Sequence, residues 1–195
     1  MSAAESYAAV TAEQRRVLWT VLGLNVFLVA MLATTGAIAD SSGLMANALD
    51  NASDAAVYAL SLFAVGRPPQ WKRVAAASSG VLLTLFGVGV LGDTLRRFLS
   101  GSEPIGPTMM VAAMVAAAIN FYCYRRLERL GDAEVHLRAA EKFSFNDFIA
   151  NGGVLVAGAL VFATGRNWPD LIVGLIVAAV ALKGGLEIIN EARRT

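Results

Sequence analysis

The sequence predicts an all-α polytopic membrane protein, a six-helix transmembrane bundle with cytoplasmic termini. Three observations carry that prediction. Of 195 residues, 56% are hydrophobic and 16% are charged, with a mean hydropathy of +0.59; soluble domains carry about 25% charged residues. The apolar residues gather into six runs, each near the roughly 20 residues a helix needs to cross a bilayer. Basic residues fall mostly at alternate ends of those runs, as the positive-inside rule requires.

The elements follow in chain order. Residues 1–16 (MSAAESYAAVTAEQRR) are polar and lack the apolar core of a signal peptide, so a cytoplasmic N-terminal segment is expected. The first span, Val17 to Ala39, carries no charge and is expected to stay as a membrane anchor. The second, Leu44 to Gly66, contains Asp50 and Asp54. Prolines in GRPPQWKR then stop the helix. The third span, Val74 to Leu95, holds Asp93 near its end, at helical spacing from Arg96 and Arg97, which reads as an interfacial ion pair. SGSEPIGP leads to the fourth span, Ile105 to Tyr124. The charged, helix-prone link RRLERLGDAEVHLRAAEK is expected to prolong the fourth and fifth helices into the cytosol. The fifth span is Phe143 to Gly165; GRNWPD, with Trp168 at an interface position, joins it to the sixth, Leu171 to Asn190, interrupted by Lys183 and Glu187. Residues 17–195 thus form one transmembrane unit, with no soluble C-terminal domain expected.

Arg15, Arg16, Arg67, Lys72, Arg73, Arg125, Arg126 and Arg129 fall on the side of the termini, as do Arg138, Lys142, Arg193 and Arg194. Only Arg96, Arg97 and Arg166 fall opposite. Both termini are therefore expected in the cytoplasm. The net charge of +1 gives no sign of a nucleic-acid partner, and one cysteine, Cys123, excludes an internal disulfide and a cysteine-rich metal site.

The chemistry lies in the acidic residues. Charges inside a membrane span are costly and are retained mainly where they act. Asp50 and Asp54 stand at i and i+4 and share one helix face with Asn47. Two carboxylates this close need a counter-charge in a low dielectric. No lysine or arginine precedes Arg67 in this span, so a cation or a proton is the expected compensator. Asp147 opens another apolar run, NDFIANGGVLVAGALVFATG, with Asn151 at i+4 and Phe143 at i−4. Plainer readings apply elsewhere. His136 reads as solvated and Cys123 as core. Asn25 and Asn120 read as makers of interhelical hydrogen bonds, and Asp40 and Asp170 as loop or interface residues. Gly152, Gly153, Gly158, Gly184 and Gly185 read as close-packing positions.

Six spans, a carboxylate pair spaced by four in the second and an aspartate early in the fifth resemble the cation diffusion facilitator transporters. The resemblance runs along the chain in SSGLMANALDNASDAAVYALSLFAVG, INFYCYRRL, LRAAEKFSFNDFIANGGVLVAG and WPDLIVGLIVAAVALKGGLEII. The SFND stretch is similar to a short subgroup without the cytosolic C-terminal domain. By resemblance, Asp50, Asp54 and Asp147 hold a divalent metal mid-membrane. The fourth ligand position is Phe143, so water, or Asn151, Ser144 or Asn47, completes the coordination. The family implies a homodimer in a bacterial-type inner (plasma) membrane. It implies metal efflux by proton antiport, with the metal as substrate and no cofactor. The oxygen-only donor set favours manganese, iron(II) or magnesium, while the family's range adds zinc, cadmium and cobalt. Two alternatives remain: a non-transporting member of the same fold, and an intramembrane aspartyl protease, whose GxGD motif has only VLGD, ending at Asp93, as its nearest match.

Overall fold

A computed structural model describes residues 3–64, 69–130 and 135–194 of the chain. The side chains of 3–11, 57, 60–61, 63–64, 69–77, 79, 135–143, 188 and 191–194 lie outside the described residues, which takes in Phe143, His136 and Lys142. Six helices make up the described structure: α1 Ala3–Ile38, α2 Ser42–Ala64, α3 Pro69–Ser100, α4 Gly106–Glu128, α5 Val135–Thr164 and α6 Trp168–Arg194. The chain is an all-α, multi-pass membrane protein. Over Ala12–Ile38, Gly106–Glu128, Ser144–Thr164 and Trp168–Glu187 the helices are long and apolar enough to cross a bilayer. α2 has the length, but Asn47, Asp50, Asn51, Ser53 and Asp54 lower its hydropathy; Asp93, Arg96 and Arg97 do the same in α3.

The helices outrun the predicted spans. α1 starts at Ala3, so most of the N-terminal segment lies on the same helix as the first span. α4 and α5 extend into the charged link, as its composition predicts. Pro107 sits in the first turn of α4, where its missing N–H costs nothing. Gly165, at φ +64°, ends α5 in the left-handed conformation that glycine adopts freely.

The helices pair most extensively as α4 with α5, α3 with α6 and α1 with α2; α2 also meets α3, α4, α5 and α6. It is therefore the axle of the bundle. Small residues allow the α4–α5 contact: a Cβ on Gly106 would lie 2.6 Å from the Gly158 carbonyl oxygen. Ala112, Ala113 and Ala116 of α4 continue the seam against Val154, Ala157 and Val161 of α5. Gly152 and Gly153 face open space, so the packing role expected of them belongs to Gly106 and Gly158. Gly185 does pack closely, on Thr84 of α3. The outward face is apolar, with Leu85, Val88, Phe98, Phe162 and Val180 exposed, while the interior holds Asn25, Asn47, Asn51, Asn120, Asn151, Asp54 and Asp147. That arrangement suits a bundle whose solvent is lipid.

One end of the bundle is laced by polar groups. Asp170, expected in a loop or interface, is fully buried at the start of α6. Its carboxylate accepts the backbone N–H groups of Ser42 (2.7 Å) and Gly43 (2.9 Å) and the Ser41 hydroxyl (2.6 Å). It thus caps α2 from another helix, satisfying orphan N–H donors and meeting the positive end of the helix dipole. Beside it, the buried Arg97 guanidinium bonds Asp93 (2.6 Å) and Asp40, and the Glu103 N–H donates to Asp40 (2.9 Å). Arg96 also pairs with Asp93 (2.9 Å), as helical spacing predicts. Asn167 reaches the Ser102 carbonyl and hydroxyl across the two remaining loops. Replacing Asp170 with alanine leaves the α2 cap unmade, and thermal unfolding in detergent is expected to register a loss of about 2–3 kcal/mol.

Candidate metal site

The central helix α2 brings its polar face to the bundle interior. Asn47, Asp50, Asn51 and Asp54 lie on successive turns, followed by the buried Tyr58. α5 faces them with Ser144, Asp147 and Asn151 at spacings of three and four, so all three point inward. Asp54 and Asp147 are 8% and 3% exposed, whereas Asp50 is only partly buried.

The structure brings the carboxyl groups of Asp50 and Asp147 together between α2 and α5. Two carboxyl groups in contact require a proton or a cation between them, because ionised carboxylates only accept. Asp54 lies within electrostatic reach of both. Among the described residues, no ion pair joins any of the three to a basic side chain. Nor is any group of three or more acidic, histidine or cysteine side chains already set around a metal position. The carboxyls are gathered but not closed into a cage.

Amides surround them. Asn47 donates to Asn151 Oδ1 (2.6 Å), and Asn151 donates to the Asp147 backbone carbonyl (2.8 Å). Asn51 donates to the Asn47 carbonyl one turn back (2.9 Å). Asn120, on α4, turns its Nδ2 toward Asp147 Oδ2 at 3.5 Å. These bonds use the amide hydrogens and leave oxygens over. Asn47 Oδ1, Asn51 Oδ1, Asn120 Oδ1 and Asp54 Oδ2 are buried with no donor. Buried acceptors without a donor are costly, and three amide oxygens with no donor, together with the Asp50, Asp54 and Asp147 carboxyls, make an oxygen-rich interior that suits a cation.

Of the candidate ligands, Ser144 and Asn47 are buried here, and Asn151 has both ends of its amide engaged by protein. The Phe143 side chain falls outside the described residues. Asn146 is exposed, pointing away as its position one residue before Asp147 requires. Asn25, expected to bond across helices, instead donates to Val21 of its own helix (2.9 Å). Asn120 does reach another helix, but it reaches a site carboxylate. Its place beside the aspartates has no marker in the sequence spacing. The available signal was one amide in the otherwise apolar buried stripe Met109, Ala112, Ala113, Ala116, Cys123 and Leu127.

Residues 18–195 match the family model of the cation efflux transmembrane domain. The chain belongs to the cation efflux family. This cation efflux protein is 24% identical over 82% of its length to the zinc transporter ZitB of Yersinia pestis, covering 55% of that relative. It is 23% identical over 63% of its length to a cadmium, cobalt and zinc/H(+)-K(+) antiporter of Bacillus velezensis, covering 40% of it. An uncharacterized transporter of Synechocystis sp. is 30% identical over 83% of the chain and 59% of its own length. The chain spans about half the length of the curated relatives it matches. Cation efflux proteins are transporters, not enzymes, so the protease reading falls, and the metal ion in such a protein is substrate, not cofactor.

Asn151 ties α2 to α5 and fixes the Asp147 turn. Its replacement by alanine strands the Asn47 amide, and thermal unfolding of the metal-free protein is expected to show a loss of about 2 kcal/mol.

Proposed function

We propose that this protein exports divalent transition-metal cations in exchange for protons, with Asp50, Asp54 and Asp147 as the ligands that carry the ion. The observation behind this reading is the close approach of the Asp50 and Asp147 carboxyls, with Asp54 beside them and no basic partner among the described residues. The space between those carboxyls takes a proton or a metal ion, but not both. Metal entering from the cytosol displaces the shared proton; protons arriving from the other side remove the charge that holds the metal. Exclusive occupancy of one set of oxygens is the whole of the exchange, provided the bundle exposes the site to one side at a time.

The zinc and the cadmium, cobalt and zinc named for the relatives support a transition metal. The donor set, oxygens from carboxyls and amides, suits manganese and iron(II) as well as zinc. The protein works as a homodimer in a bacterial-type inner membrane, with both termini in the cytoplasm, in keeping with the charge distribution.

In proteoliposomes, replacing Asp54 with alanine is expected to reduce metal-driven proton flux to background; flux at the wild-type rate would sink the assignment. Acidifying the release side should speed efflux and acidifying the loading side should slow it. Metals compete best in this assay in the order of their affinity, so zinc, cadmium, cobalt, manganese and iron(II) run together rank the substrates.

A further inference from the structure

The Phe143 position leaves the site one protein ligand short on α5, and the structure points elsewhere for the missing donor. We propose that Asn120 of α4 supplies it: its side-chain oxygen joins Asp50, Asp54 and Asp147 as a direct ligand of the transported ion. The inference rests on the reading that those three carboxyls hold the cation.

Three features carry it. Asn120 is 1% exposed, so its amide has no recourse to water. Its Nδ2 faces Asp147 Oδ2 at 3.5 Å, the long limit of a hydrogen bond, while its Oδ1 is buried with no donor. Turning the amide over does not relieve it. The oxygen would then face the Asp147 carboxylate, acceptor against acceptor, an arrangement that only a bridging proton or cation makes favourable. In either rotamer the Asn120 oxygen lacks a donor, a deficit that a bound metal ion would satisfy.

The other amides are less available. Asn151 donates to the Asp147 carbonyl and accepts from Asn47, so moving its oxygen to an ion breaks an existing bond. The Asn47 and Asn51 oxygens also lack donors, but both residues belong to α2, which already contributes Asp50 and Asp54, and their amide hydrogens go to Asn151 and to the Asn47 carbonyl instead of to a site carboxylate. Asn120 alone approaches a site carboxylate from a third helix. An ion bound there would join α2, α5 and α4. Since α4 and α5 pack through the Gly106–Gly158 contact, the ion would be gripped between α2 and a single two-helix unit.

The test is metal binding to the purified full chain in detergent, read by calorimetry with Mn²⁺ and with Zn²⁺, on Asn120→Ala, Asn120→Asp, Asn120→His and Asp54→Ala. Loss of a neutral oxygen ligand in Asn120→Ala should weaken Mn²⁺ binding by about tenfold or more, whereas Asn120→Asp, which keeps an oxygen, should bind at least as tightly as wild type. Asn120→His should shift the Zn²⁺ to Mn²⁺ affinity ratio toward zinc by about tenfold, since imidazole suits zinc better. Asn120→Asp and Asn120→His decide the matter if the alanine variant does not fold. Asn120→Ala binding like wild type while Asp54→Ala does not bind would overturn the α4 ligand and leave the three-carboxyl reading standing. Asn120→Asp as weak as Asn120→Ala would also overturn it, leaving Asn120 a hydrogen-bond donor to Asp147 only. Undiminished binding in Asp54→Ala would remove the underlying site and this inference with it.

Discussion

Three carboxyl groups drawn into the bundle interior, with no basic partner among the described residues, impose conditions on everything around them. An uncompensated charge in a low-dielectric interior is among the most costly things a protein can hold. Asp50 and Asp147 meet that cost by contact with each other, which demands a proton or a cation between them. The surrounding asparagines commit their hydrogens to backbone and to one another, so that oxygens remain. An interior built to be stable on its own would present donors to those carboxyls. This one presents mostly acceptors, so it is completed by whatever positive species arrives.

That chemistry depends on α2 being central and on its rotation being fixed. Its face is set at one end by Asp170, which caps it from α6, and along its length by contacts with every other helix. Were α2 turned by one residue, about 100°, Asp50 and Asp54 would leave the interior together. Close α4–α5 packing does the corresponding work for Asp147, since Gly106 and Gly158 let those helices approach until Asn120 meets it.

Much of this was legible in the sequence, for reasons that are local. The i, i+4 rule places Asp50 and Asp54 on one face, and the membrane penalty marks them as purposeful. The same penalty marks Asp147, and the two helices do bring Asp50 and Asp147 together. Asp170 was not legible: it lies in GRNWPD, which reads as a turn, and its partners Ser42 and Gly43 are more than half the chain away. A cap supplied by another helix has no local signature. The sequence marks Asn120 as a maker of an interhelical bond, and it does reach α5, but its partner there depends on the rotation of α4 against α5. Gly152 and Gly153 failed for that reason too, since a glycine says a close approach is allowed but not whether a neighbour stands there.

The lacing of the loops by Asp170, Arg97 and Asn167 makes α2 a lever pinned at Ser42. At about 1.5 Å per residue, Asp50 lies about 12 Å and Asp54 about 18 Å along its axis from that pin. A tilt of about 10° therefore moves Asp54 by about 3 Å and Asp50 by about 2 Å. Both exceed the slack in a metal–oxygen bond of about 2.1 Å. The ligand farther from the pin moves most, so the distance from Asp54 to a bound ion is the one most sensitive to the tilt of α2.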